Sequence, residues 1–161
     1  MLDVFSHVGA WGLSAARAGA ADVLCVDSSA PALELLAESA AANGLAVRTL
    51  RDAGEKFDVV VVDPPAFIKR RRDIPKAQAA YRKLNQLAMQ LLPRDGILVS
   101  CSCSHHLAQD DLINALQQSA RHLNRFAQIV EVDGHAPNHP IHPAIPETRY
   151  LKAIVCRVVQ E

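Results

Sequence analysis

The stretch from Asp3 to Gly12, DVFSHVGAWG, constrains the fold of this chain more than any other. An apolar strand end runs into a turn that carries glycine, and an alanine-rich helical segment, Leu13 to Ala20, follows and is closed by Gly19. A glycine turn between a strand and a helix lets the backbone approach a ligand closely, because glycine tolerates the dihedrals and has no side chain in the way. Gly9 and Gly12 are placed for this. A plain βα turn would carry the same glycines, and the absence of GxGxxG weakens a dinucleotide site. Asp27 stands about twenty residues on, at the end of the apolar run DVLCVD, where a carboxylate can accept both hydroxyls of a ribose.

Continuous apolar runs of this kind are the mark of buried parallel strands. Asp22 to Asp27, Phe57 to Val62 (FDVVVV) and Ile97 to Ser100 read as three of them, after a short first strand at Leu2 to Phe5. Helices are expected from Pro31 to a stop at Asn43 and Gly44, from about Pro75 to Leu92, and from Asp110 to Leu123. Phe126 to Val132 and Tyr150 to Val159 are the last two strands; only a Pro- and His-rich loop separates them, so they should pair antiparallel. The expectation is a doubly wound, mostly parallel α/β sheet with an antiparallel last strand, forming one catalytic domain over residues 1–161. No strand is legible between Gly44 and Phe57, and a crossover unit of about fifteen to twenty residues is expected to be missing near residues 45–50. The first strand begins almost on the turn, so the chain reads as a fragment.

DPPAF, Asp63 to Phe67, is the second constellation. A carboxylate at a strand end followed by two prolines makes a rigid lip at the switch point of such a sheet. Asp63 can accept from the exocyclic amine or ring N–H of a flipped base; Pro64 and Pro65 would border the base, and Phe67 would stack on it or line its pocket. A structural proline turn is the alternative. Together with the glycine turn, DPPAF reads as the cofactor half of a class I S-adenosylmethionine (SAM) methyltransferase. Phe5, Ser6, His7, Gly9, Gly12, Asp27, Ser28 and Asp63 would hold the cofactor.

Cys101 and Cys103 follow the fifth strand at the same edge. A thiolate there could attack C6 of a pyrimidine and make C5 nucleophilic enough to take a methyl group. A buried structural thiol, a metal site and a disulfide compete with that reading, but CxC spacing suits a disulfide poorly, and Cys25 and Cys156 sit centrally in apolar strands. His135, His139 and His142 lie in a proline-rich loop without fixed ligand geometry, so they read as surface histidines and no metal is expected. The basic run Lys69 to Arg72 is either a solvated loop or a phosphate contact, with Lys69 and Arg70 nearest the site.

Seventeen basic and seventeen acidic residues give zero formal charge, so no global field favours nucleic acid and any RNA contact must be local. No run approaches a membrane span, and the apolar start is broken by Asp3 and His7 without a basic leader. A reducing cytoplasm and free thiols are the expectation.

Five stretches, DVFSHVGAWGLSA, VDSSAPALELLAESAAANGL, GEKFDVVVVDPPAF, YRKLNQLAMQLLPRDGILVSCSCS and HPAIPETRYLKAIVCRVV, carry a resemblance over nearly the whole chain. It resembles the bacterial 23S ribosomal RNA 5-methylcytosine methyltransferases of the large-subunit methyltransferase I type. The resemblance implies that the nucleophile is the cysteine of an SCS motif, which falls on Cys103 between Ser102 and Ser104, leaving Cys101 as its neighbour. It also implies an N-terminal PUA domain and a linking β-rich domain, neither present in this sequence, and a cofactor-contacting acid after the third strand. Asp52 belongs to the RDAGEKF stretch before the fourth strand and is not that acid. Position 66 is alanine, where other RNA cytosine methyltransferases have a second cysteine, and His105 and His106 replace smaller or apolar residues.

The resulting expectation is methylation of C5 of a cytosine in 23S ribosomal RNA through a cysteine adduct, with RNA as partner and a homodimer left open. An RNA or DNA N-methyltransferase using DPPAF, and a SAM- and RNA-binding module without turnover, are the alternatives; a nicotinamide-dependent oxidoreductase is disfavoured.

Overall fold

A computed structural model describes residues 1–50, 55–68, 70–137 and 139–160. The described residues form one seven-stranded sheet in the order β3-β2-β1-β4-β5-β7-β6. Its parallel part is β1 (Leu2–Val4), β2 (Leu24–Val26), β3 (Arg48–Leu50), β4 (Val59–Val62) and β5 (Asp95–Ser102). β6 (Phe126–Asp133) and β7 (Lys152–Val159) pair antiparallel as expected, and β7 inserts between β5 and β6, antiparallel to both. The helices are α1 (Ala10–Arg17), α2 (Ala30–Ala42), α3 (Ile74–Gln90) and α4 (Gln109–His122). Among the described residues no helix is long and apolar enough to cross a membrane.

The third strand is present, contrary to the expectation from sequence. Arg48, Thr49 and Leu50 pair in parallel with Leu24, Cys25 and Val26. An edge strand has a neighbour on one side only and needs no unbroken apolar run; this one is tied down by Arg48, whose guanidinium is bound by Asp22 at 2.7 and 2.8 Å and by Glu55. What the described residues between β3 and β4 lack is a crossover helix. Asp52 and Lys69 lie outside the described residues.

The strand pleat sorts the core onto two faces. Leu2, Leu24, Val60, Leu98, Ile154 and Cys156 are buried in the large cluster with Tyr81, Met89, Leu112 and Leu116 of α3 and α4. On the opposite face Val23 and Cys25 pack with Leu36 of α2 and with Ala15 and Ala16 of α1. Each buried Leu or Val contributes roughly 1.5–3 kcal/mol relative to exposure. α2 starts where Ser29 accepts the Ala32 N–H at 3.4 Å, with Pro31 in its first turn.

Both glycines of the opening turn are explained by packing. Gly9, the α1 N-cap, sits at φ 84°, and a Cβ there would lie 2.6 Å from the Leu36 side chain. Gly12 is buried, and a Cβ there would collide with the Cys25 thiol, so this glycine lets α1 press onto β2. Gly12→Ala is therefore expected to destabilise the domain by roughly 1–3 kcal/mol through overpacking. Urea unfolding of the single variant and of Gly12→Ala with Cys25→Ala measures it; the second substitution should return part of the loss.

Candidate active site

Asp27, Asp63 and Cys103 each follow directly on a strand, β2, β4 and β5, so all three stand at the carboxyl edge of the parallel sheet. β1 and β4 are neighbours there although β2 and β3 lie between them in sequence, the arrangement that opens a ligand crevice in doubly wound folds.

The turn after β1 is held in an uncommon conformation. Phe5 and His7 have φ of 64° and 48°, the left-handed region that non-glycine residues seldom enter. Asp27 holds it there: the His7 N–H donates to one carboxylate oxygen at 2.8 Å and the Ser29 N–H to the other at 2.8 Å. The Ser6 N–H donates to the Val26 carbonyl at 3.1 Å, and the Ser6 carbonyl accepts from Gly9 N–H at 2.7 Å. The buried Ser6 hydroxyl has no partner, and Ser28 is exposed.

Asp3 is a candidate site residue that sequence reasoning passed over. It is fully buried in the middle of β1; one carboxylate oxygen accepts the Gly12 N–H at 2.9 Å and the other has no partner. Burial first, and then the charges of Asp63 and Asp27, push its pKa up to about 6 against the stabilising Gly12 bond. A lone acid inside an otherwise apolar strand was the available signal.

Trp11, 40% exposed on α1, donates its indole N–H to Asp63 at 3.1 Å and so ties the opening turn to the DPPAF lip. Pro64 is buried and Pro65 exposed. Phe67 packs on Tyr81, ring centroids 4.9 Å apart, and joins the edge of the main core. Arg70 is exposed.

The two thiols beyond β5 have different surroundings. β5 runs on to Ser102, two residues past the expected end, and Cys101 is buried among Val61 and Val99. Burial, followed by the charges of Asp63 and Asp3, drives the Cys101 thiol far above its ordinary range; burial raises Cys25 to about 12 and Cys156 to about 11. Cys103 is half-buried in the turn that follows, with the serines on either side of it fixed. Tyr81 Oη lies 2.8 Å from Ser102 Oγ and 3.3 Å from Ser104 Oγ, and the Ser104 N–H donates to Ser102 Oγ at 3.2 Å. Burial raises the Tyr81 pKa against these two serine bonds, so the phenol stays protonated.

Beyond this turn lies a cavity of about 610 Å³, lined by His105, Leu107, His135, Arg149, Leu151 and Lys152. His135 is half-buried, unlike the surface residue expected: its Nε2 accepts the Tyr150 and Leu151 N–H groups at 3.3 Å each. His139 and His142 are exposed. No group of three or more His, Cys, Asp or Glu among the described residues could hold a metal ion.

The carboxyl edge suits a cation. Asp63 and Asp27 both act on Asp3 through space, and the hydrogen-bond donors to the three acids are backbone N–H groups and one indole. SAM, with its sulfonium and ammonium charges, fits that set. Sheet order and reversed last strand together define the class I SAM-dependent methyltransferase fold. SMU.776, whose crystal structure holds SAH, shares the fold at TM-score 0.80 and 16% identity over 97% of this chain and 44% of that one. Trm5b from Pyrococcus abyssi does so at TM-score 0.69 and 17% identity over 98% of this chain and 43% of its own. No family model matches the chain.

Over nearly its whole length the chain is similar to proteins named ribosomal RNA large subunit methyltransferase I. It is 35% identical to the one from Erwinia tasmaniensis over 173 positions, 99% of this chain and 44% of that protein. With the one from Shewanella denitrificans the identity is 38% over 172 positions, 98% of this chain and 43% of that protein. The chain thus spans less than half the length of these relatives. An alignment of 173 positions on a chain of 161 residues leaves at least 12 positions without a counterpart here.

Proposed function

We propose that this domain methylates C5 of a cytosine in 23S ribosomal RNA, with Cys103 as the nucleophile and Asp63 holding the base edge. SAM, bound against Phe5 to Gly12 and Asp27, supplies an electrophilic methyl group. From the protein's side the Cys103 thiolate adds to C6, which places electron density on C5. Once C5 carries the methyl group and has lost its proton, the Sγ–C6 bond breaks and the thiolate is returned. Asp63 keeps one carboxylate oxygen free of the Trp11 bond, available to the amine of the base. Arg70, exposed beyond DPPAF, would contact a phosphate.

The observation that carries this reading is the contrast between the thiols: of the four cysteines three are buried, and Cys103 alone is partly open, at the same strand edge as Asp63. The test is methyl transfer from isotope-labelled SAM to ribosomal RNA, followed by nucleoside analysis, with 5-methylcytidine expected. An N-methylated nucleoside would move the chemistry to DPPAF alone, and SAM binding without transfer would leave a binding module.

A further inference from the structure

Lys152 opens β7 opposite Ser102 of β5, so its backbone lies beside the residue preceding Cys103. Its side chain turns to the residue that follows: Nζ donates to the Ser104 carbonyl at 3.0 Å and to the Tyr150 carbonyl at 2.7 Å. Only 9% of the residue is exposed. A buried ammonium bound by carbonyls alone keeps its full charge unneutralised, an arrangement that costs stability unless an anion stands nearby. Cys103 lies between Ser102, which Lys152 faces across the sheet, and Ser104, whose carbonyl its ammonium holds.

We propose that the Lys152 ammonium is the charge partner of the Cys103 thiolate, a positioning residue that holds the SCS turn and favours the ionised thiol. The proton leaving Sγ goes to solvent, and Lys152 keeps its own. When Sγ bonds to C6 the negative charge passes to the base, so the ammonium assists most before the attack. Burial lowers the Lys152 pKa, with the charge of Cys103 acting against that shift. Other titratable groups around the turn include Tyr81 from α3, Asp63 after β4, Cys101 in β5 and the adjoining His105 and His106, and Asp133, His135 and Arg149 line the cavity that Lys152 borders. Asp63 disfavours added negative charge on Tyr81 and Cys101.

The proposal rests on the reading of Cys103 as nucleophile, but its test needs neither RNA nor SAM. Alkylation of Cys103 by iodoacetamide is followed by peptide mass between pH 6 and 9. In Lys152→Met the rise of the rate should move to higher pH by about one unit, roughly tenfold slower at pH 7, the effect of removing a neighbouring opposite charge. Lys152→Arg should recover most of it. A Met variant with the wild-type profile would reduce Lys152 to a peg for the Ser104 carbonyl. If that variant does not fold, the wild type decides: Cys103 should favour anionic iodoacetate over neutral iodoacetamide more than N-acetylcysteine does, and an equal or lower preference overturns the pairing. A wild type that alkylates as expected yet makes no 5-methylcytidine would sink the functional reading and leave this one standing.

Discussion

Cys103→Ala is expected to lower methyl transfer by at least about 10⁴-fold, the scale on which a nucleophile counts, while SAM affinity stays nearly unchanged. In the proposed mechanism the thiol acts on the base and not on the cofactor, and it follows β5 whereas the proposed cofactor turn follows β1. Cys101→Ala should remain active and lose roughly 1 kcal/mol of stability, since its thiol fills space among Val61 and Val99. RNA carrying 5-fluorocytosine separates the two thiols directly. Fluorine cannot leave C5 as a proton does, so the adduct should persist with the wild type and with Cys101→Ala. An adduct formed by Cys103→Ala, or full activity in that variant, would overturn the mechanism and bring amine methylation forward.

The second large effect concerns Asp3 and has a definite sign. Its folded-state pKa of about 6 lies above the ordinary 3.8, so the folded protein favours the neutral acid. The associated stability is fully present below pH 3.8 and is lost as pH rises through 6, roughly 3 kcal/mol in all at 1.36 kcal/mol per unit. Asp3→Asn keeps an acceptor for the Gly12 N–H and removes the charge, so this component of the pH dependence should vanish when urea unfolding is compared at pH 4 and pH 8. Cationic SAM at the same edge favours the ionised acid. Its affinity for the wild type should rise roughly tenfold between pH 5 and pH 7, as the ionised fraction of a group titrating near 6 does. The Asn variant should show no such rise in calorimetry, and a wild-type affinity flat across that interval would remove Asp3 from the site.

What could be read from the chain followed the burial of each element. VLCV, VVVV and ILVS are apolar on both faces because helices or neighbouring strands cover both, and that continuity is visible in one dimension. β3 was missed for the converse reason: with a single neighbour, Arg-Thr-Leu needs only an ion-pair anchor. Asp27 and Asp63 were legible as acids that end apolar runs. The same rule overlooked Asp3, which sits inside its run and has its charge set by burial and by two acids distant in sequence.

The sequence alone therefore determined the parallel core, the reversed final strand and the set of groups at the carboxyl edge. Gly9 and Gly12 could be read only as close-approach residues; that Leu36 and the Cys25 thiol occupy the space is a fact of helix packing. Cys101 and Cys103 would share a face if β5 continued, and the end of the strand at Ser102 separates a buried thiol from an open one. Trp11 reaches Asp63 across 52 residues and Lys152 reaches Ser104 across 48. Such contacts leave no local pattern, because they arise from strand order: β4 beside β1, and β7 inserted against β5.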